Sequence, residues 1–330
     1  MRPLISVIIP TLNEESYIAA VIDDMLAQER LDADVEILVA DGGSTDRTRA
    51  IVAEYATRAN VRLIDNPKRY QVCGYNIAIK AARGSIICIV HAHARFSHNY
   101  LAACLEARRR TGAANVGGVI RHQGHGLIGK AIALAMSSPL GVGDSKYRHT
   151  AREQWCDSVM GTFIDRELFD EVGFYNETNI INEDCEFNYR LRAAGYKVFV
   201  TPNIEVTYYV RSSLTSLARQ YVRYGFYRRW TEVQHPGSVP WRVYAPPSLL
   251  LGLVASGFLA LFGYWMLAVV VPSLYLCFLS VAVFDGMRRS KRIALALLEP
   301  VAIATMHVAF GFGWLRGLLT LRADRQFVPY

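Results

Sequence analysis

Val7-Ile8-Ile9-Pro10-Thr11-Leu12-Asn13-Glu14-Glu15 and, further on, Asp41-Gly42-Gly43-Ser44-Thr45-Asp46 set the reading of this chain. Each is an apolar run that ends abruptly in polar and turn-forming residues. The first run, Leu4–Ile9, is β-branched and stops at Pro10. The second, Asp34–Ala40, stops at Asp41-Gly42-Gly43. Between them Ser16–Gln28 carries Ile18, Val21, Ile22 and Met25 at helical spacing. Thr45–Arg58 reads as a helix, Val61–Ile64 as a strand, Gly74–Arg83 as a helix and Ser85–Val90 as a strand. The last is continuously apolar, as a strand buried on both faces must be. Strands alternating with helices predict an α/β fold, a parallel sheet covered on both faces. In such sheets ligands bind beyond the carboxyl ends of the strands. Thr11, Asn13 and Glu14, then Asp41, then His91 and His93 stand at those ends.

The rest of the chain has a different character. Mean hydropathy is +0.16, and only 20% of the 330 residues are charged. From Ala245 to Phe284, forty residues, there is no Lys, Arg, Asp or Glu. One membrane-crossing helix needs about 20 residues, so a pair of crossings turning near Gly263–Trp265 fits. Arg288-Arg289-Ser290-Lys291-Arg292 follows, and the positive-inside tendency predicts a cytoplasmic loop. Ala294–Leu315 is a third apolar stretch, interrupted by Glu299, Pro300 and His307. It reads either as one crossing or as a broken, re-entrant element. A cut after Ser238, where Pro and Gly cluster, divides the chain into a catalytic domain, 1–238, and a membrane-anchoring region, 239–330. The anchoring part carries eight Lys and Arg against three Asp and Glu, a balance suited to anionic lipid. Six cysteines are scattered without a CxxC pair, which fits a reduced compartment. Met1-Arg2-Pro3 leads directly into a strand-like run, so the catalytic part is expected in the cytosol.

Two helix candidates have double readings. Leu127–Ser137 bears Leu127, Ile128, Ala131, Leu134 and Ala135 on one side, as a core helix or one lying in the membrane interface would. Ser212–Val233, with Ser213 as its cap, mixes arginines with Tyr221, Tyr224, Phe226, Tyr227 and Trp230. The glycines of Asp41–Asp46 allow a tight turn, with Thr45 or Asp46 to cap the next helix. Asp41 is then left to accept from a base or ribose, unless the segment is an ordinary strand–turn–helix junction.

The quoted segments resemble the opening of the inverting family 2 glycosyltransferases of GT-A fold. Gly161-Thr162-Phe163, Phe169 to Gly173-Phe174, Glu183-Asp184 with Arg190 and Gly195, and Gln220-Tyr221-Val222-Arg223-Tyr224 are similar to its later elements, in order. The apolar tail and Ser137–Gly143 resemble the succinoglycan-type bacterial exopolysaccharide branch. The resemblance covers roughly residues 4–230. It implies a Rossmann-like mixed sheet with transmembrane helices after it. It implies transfer of a hexose from a nucleotide-sugar, UDP-linked, to a polyprenyl-linked saccharide. That places the chain among the membrane lipids of the inner membrane, facing the cytosol. Asp184 would be the base that takes the acceptor proton, with Glu183 beside it. Pro10, Thr11, Glu14, Asp41 and His91 would line the nucleotide-sugar site. Gln220, Arg223 and Tyr224 would meet diphosphate and acceptor, although a helix whose arginines meet lipid phosphates reads the same way. No nucleic acid is expected as a partner.

One element departs from the family pattern. A carboxylate for a divalent metal is expected after the fourth strand, and this chain has Val90-His91-Ala92-His93-Ala94-Arg95. Imidazoles at i and i+2 of an extended segment would point to one side. They suit Mn²⁺ better than Mg²⁺, through His93 and with it His91. A metal-free site, with the histidines and Arg95 offsetting diphosphate charge, is a second reading. A weakened site that binds a nucleotide-sugar without turnover is the third.

Overall fold

The computed structural model of the chain describes residues 2–321. The first half contains β1 (Leu4–Thr11), α1 (Ile18–Leu26), β2 (Asp34–Asp41), α2 (Thr48–Ala56), β3 (Val61–Asp65), α3 (Gln71–Ala81), β4 (Ile86–Ile89), β5 (Ala94–Phe96), α4 (Tyr100–Thr111), β6 (Asn115–Gln123), α5 (Gly126–Met136) and α6 (Pro139–Val142). Then come β7 (Gln154–Cys156), β8 (Thr162–Asp165), α7 (Leu168–Val172), α8 (Glu183–Ala193), β9 (Val198–Tyr209), α9 (Leu214–Gln234), α10 (Ala245–Leu261), α11 (Trp265–Ala268), α12 (Val270–Ser290) and α13 (Ile293–Thr320). Every strand and helix read from the first ninety residues is present.

Two compact units are formed. The first comprises the chain up to Arg121 with Lys146–Tyr208; the second comprises His122–Ser145 with the chain from Tyr209 on. In the first unit five strands run in the order β3-β2-β1-β4-β8. Four are parallel and β8 is antiparallel to β4, so the sheet is mixed. A smaller sheet has the order β5-β9-β6, with β7 also on β9. Side chains alternate across the main sheet as a strand requires. Ile5, Val7, Ile9, Ile37 and Val39 join one core with Ile18, Val21, Ile22 and Met25 of α1. Ile8, Leu38, Ala40, Ile87 and Ile89 join the other with α3 and Phe187 of α8.

Glu36 lies inside β2 and is buried. Its carboxylate accepts from Ser6 Oγ at 2.6 Å, the Arg83 N–H at 2.6 Å and Arg62 Nη2 at 3.1 Å. Burial alone would raise its pKa, but these partners outweigh it and hold the group ionised below its ordinary range.

The second unit is helical. Ile132, Ala135 and Met136 of α5, Leu217 and Tyr221 of α9, and Ala302, Ile303 and Met306 of α13 share one core. Helices α9 and α13 meet through glycine. A Cβ on Gly313 would lie 1.9 Å from the Val222 carbonyl oxygen, and one on Gly225 would lie 2.1 Å from that of Phe310. Trp241–Leu261, Trp265–Ser290 and Ile293–Thr320 are each long and apolar enough to cross a membrane. The first two are joined by the expected turn, with Gly263 at φ +82°.

Pro300 does not break α13, which continues through it as one helix. Helix α9 belongs with α13 because its Leu217–Tyr221 face has its apolar partners there.

Candidate active site

The order β2-β1-β4 places a topological switch between β1 and β4. A doubly wound sheet opens its crevice at that point. Pro10 sits where the β1–β4 ladder has ended. Pairing stops at Ile8 with Ile89, followed by one more bond from the Val90 N–H to the Ile8 carbonyl. Proline has no N–H to continue the ladder, so the strand ends diverge. Residues 11–15 and 91–93 flank the opening.

The loop after β1 is fastened to the loop after β2. Asn13 takes φ +56°. Its N–H donates to Ser44 Oγ at 2.8 Å, and its Oδ1 accepts from the Thr45 N–H at 2.8 Å. The Glu14 N–H donates to Thr48 Oγ1 and the Glu15 N–H to Asp46 Oδ2. Asp46 also accepts from the Thr48 N–H, so it caps α2 as expected. Thr11 is buried, with its hydroxyl on the Ile9 carbonyl and its own carbonyl taken by the Gly42 N–H.

The Asp41 carboxylate is fully enclosed and accepts from the Gly43 and Ser44 N–H groups, the Ser44 hydroxyl and Arg49 Nη1 at 2.7 Å. Burial would raise its pKa, but Ser44 and Arg49 outweigh that and lower it. The side chain closes its own loop. The same Arg49 reaches Asp65 at 2.9 Å, whose side chain is 78% exposed at the end of the next strand. Arg49 and Asp65 were not singled out from sequence. Their signal is the paired register of Asp41 with Asp65, which only strand order reveals.

His91 and His93 lie in a turn, not an extended segment, because the Ala94 N–H bonds back to the His91 carbonyl. The two rings are nevertheless neighbours, with centroids 6.1 Å apart. His93 Nδ1 is 3.3 Å from Glu14 Oε1, joining the ends of β4 and β1 across the crevice. Burial, with His93 beside it, lowers the His91 pKa to about 4, so its imidazole is neutral at pH 7. Arg95 turns away to a bidentate pair with Asp24, both bonds at 2.8 Å. This removes the arginine from the metal-free reading.

Glu183 and Asp184 open α8 behind Asn182, whose φ is +61°. Acids in a first helical turn are favoured by the helix dipole. Asn188 anchors the turn from below. It donates to the Asp184 carbonyl at 2.8 Å and accepts from Asn115, which also accepts from the Phe163 N–H. Arg190 binds Glu186 and the carbonyls of Gly173 and Phe174, so it holds the preceding loop. Gln71, at the start of α3, donates to Glu183 Oε1 at 3.2 Å. Helix α3 begins at the carboxyl edge of the sheet, so this contact brings the acidic pair to that edge. Burial, with Asp184 beside it, pushes the Glu183 pKa up to about 8. Gln71 and the neighbouring Tyr75 were missed from sequence, since neither sits in a recognisable pattern. Gln220 and Tyr224 bond to each other at 2.8 Å on α9, with Arg223 exposed between them, all in the second unit.

A mixed sheet that opens at its switch point, with an acidic pair at the same edge, is the arrangement expected of a glycosyltransferase of GT-A type. Comparison with known proteins agrees. Residues 6–173 match the profile of "Glycosyl transferase family 2". The chain is similar to the succinoglycan biosynthesis protein ExoA of Rhizobium meliloti, 34% identical over 96% of this chain and 95% of that protein. It is 27% identical, over 96% and 97% of the two chains, to a dolichyl N-acetyl-α-D-glucosaminyl phosphate 3-β-D-2,3-diacetamido-2,3-dideoxy-β-D-glucuronosyltransferase of Methanococcus voltae. The solved mannosyltransferase PcManGT from Pyrobaculum calidifontis, in complex with GDP-Man and Mn2+, superposes with a TM-score of 0.62 at 19% identity. That alignment covers 96% of this chain and 88% of the other. The chain belongs to glycosyl transferase family 2, and it is a glycosyltransferase.

Proposed function

We propose that this enzyme transfers a hexose, with inversion, from a UDP-linked donor to a polyprenyl-linked saccharide in bacterial polysaccharide synthesis. The reaction takes place at the cytoplasmic face of the inner membrane. The observation that carries the reading is the Glu183-Asp184 pair at the sheet edge where the β1–β4 crevice opens. Asp184 removes the acceptor proton as the hydroxyl attacks the anomeric carbon from the face opposite the diphosphate. Glu183 stands beside it, its proton favoured by burial and by the Asp184 charge. Pro10, Thr11 and Glu14 border the donor, and Asp41 shapes the loop beside it. Gln220, Arg223 and Tyr224 meet the acceptor and its phosphates.

Two imidazoles and a nearby carboxylate suit a divalent ion, Mn²⁺ ahead of Mg²⁺. His93 and His91 would hold it. Among the described residues no group of three or more His, Cys, Asp or Glu is arranged to hold a metal, so the protein's share of such a site would be the two imidazoles. When bound, the ion neutralises charge on the leaving diphosphate. The acceptor class rests on the Methanococcus relative, whose name specifies a lipid-linked sugar. The polysaccharide setting rests on ExoA.

The test is transfer of radiolabelled hexose from UDP-hexose into lipid-extractable product by membranes carrying the protein. Asp184→Asn is expected to lower the rate by about 10²–10⁴-fold with donor binding retained. An unchanged rate would overturn the assignment of the base.

A further inference from the structure

The apolar side of α5 divides into two parts. Ala131, Ile132, Ala135 and Met136 are buried against α9 and α13. Leu127 and Ile128, one turn earlier, are 52% and 43% exposed. They join none of the apolar cores given above for the described residues. The same corner is built from a second segment. The Val210 N–H bonds to the Gln123 carbonyl, His125 stacks on Tyr209 with ring centroids 5.7 Å apart, and a Cβ on Gly129 would lie 3.9 Å from the Arg211 carbonyl oxygen. Lys130 and Arg211 are exposed there. Residues 122–143 and 206–231, the stretches that supply the corner, contain no Asp or Glu. The N–H groups that open α5 have no side-chain cap, so the dipole adds positive potential.

We infer that this corner docks on the surface of an anionic bilayer, with Leu127 and Ile128 entering the acyl boundary and Lys130 and Arg211 meeting lipid phosphates. Two large apolar side chains beside cations, without a carboxylate, match the chemistry of such a surface and repel an acid-free basic partner. The patch would be a second contact besides the long apolar helices, and it rests on the reading of the chain as membrane-held. Its role would be to fix the tilt of the helical unit at the interface.

The full chain, carrying an environment-sensitive fluorescent amino acid at position 127, is placed in nanodiscs of phosphatidylcholine with or without phosphatidylglycerol. A blue-shifted emission that grows with phosphatidylglycerol is expected. Lys130→Gln with Arg211→Gln should weaken the phosphatidylglycerol-dependent binding by roughly 25-fold, each cation near the surface contributing about fivefold. Water-like emission in both lipids, from chain that stays with the discs, would overturn the patch alone. Equal blue shifts in detergent and in both lipids would overturn it in favour of a protein–protein contact. Release of the chain from native membranes by alkaline wash would instead overturn the membrane-held reading.

Discussion

Glu183 is a carboxyl group whose surroundings favour its proton. Gln71, Tyr75 and Asp184 face it. Its folded pKa, about 8, lies above its ordinary 4.5. The folded chain therefore holds the proton more tightly than the unfolded one. The group supports the fold fully below the lower value, and that support is lost as pH rises through the higher one. Glu183→Gln should remove this dependence. In melting experiments the variant should gain on the wild type between about pH 5 and pH 8.5, and a parallel pair of Tm profiles would refute the assignment. Asp41→Ala tests a different kind of carboxylate. It strands the Gly43 and Ser44 N–H groups and should cost about 1–3 kcal/mol, read as a lower denaturation midpoint. The sequence placed Asp41 at the strand end but not the direction of its oxygens, because Arg49 meets it only after α2 has packed. His91 and His93 were legible as neighbours, though their turn was not, since no glycine or proline marks it.

At the scale of elements, strands and helices up to β4 follow from hydrophobic period and turn residues, and structure and sequence agree closely there. Helix α5 shows where period alone runs out. Its stripe is core in its later turns and surface in its first, and only the position of α13 decides which residues are which. The contact of α9 with α13 was hidden for a related reason: Gly225 and Gly313 lie about ninety residues apart and carry no pattern in common. They set how closely the helices approach. Gly313→Val would drive a side chain into the Val222 carbonyl. Overpacking of this kind costs about 1–3 kcal/mol, and here more, since backbone cannot move aside as a side chain can. The variant should aggregate on detergent extraction at temperatures the wild type survives, with size-exclusion profiles as the measurement.

At the scale of the molecule, a chain ended after Ser238 keeps α5 and α9 but loses α13. Ile132, Met136, Leu217 and Tyr221 then lose apolar partners. Such a truncation should be insoluble or held by chaperones, whereas a boundary placed by composition alone would promise a soluble enzyme; expression and sedimentation distinguish the two. The α12–α13 hairpin also has a consequence for biogenesis. Glu299 is fully enclosed and pairs with Arg289, which also bonds to Asp285 and to the Leu134 carbonyl. A lone carboxylate in an apolar helix is costly to deliver into lipid. Its partner lies ten residues earlier, on the other arm, where the same guanidinium also pairs with Asp285. Arg289→Ala strands the Glu299 carboxylate in the apolar helix and is expected to lower the amount of membrane-inserted protein, read by membrane fractionation and immunoblotting.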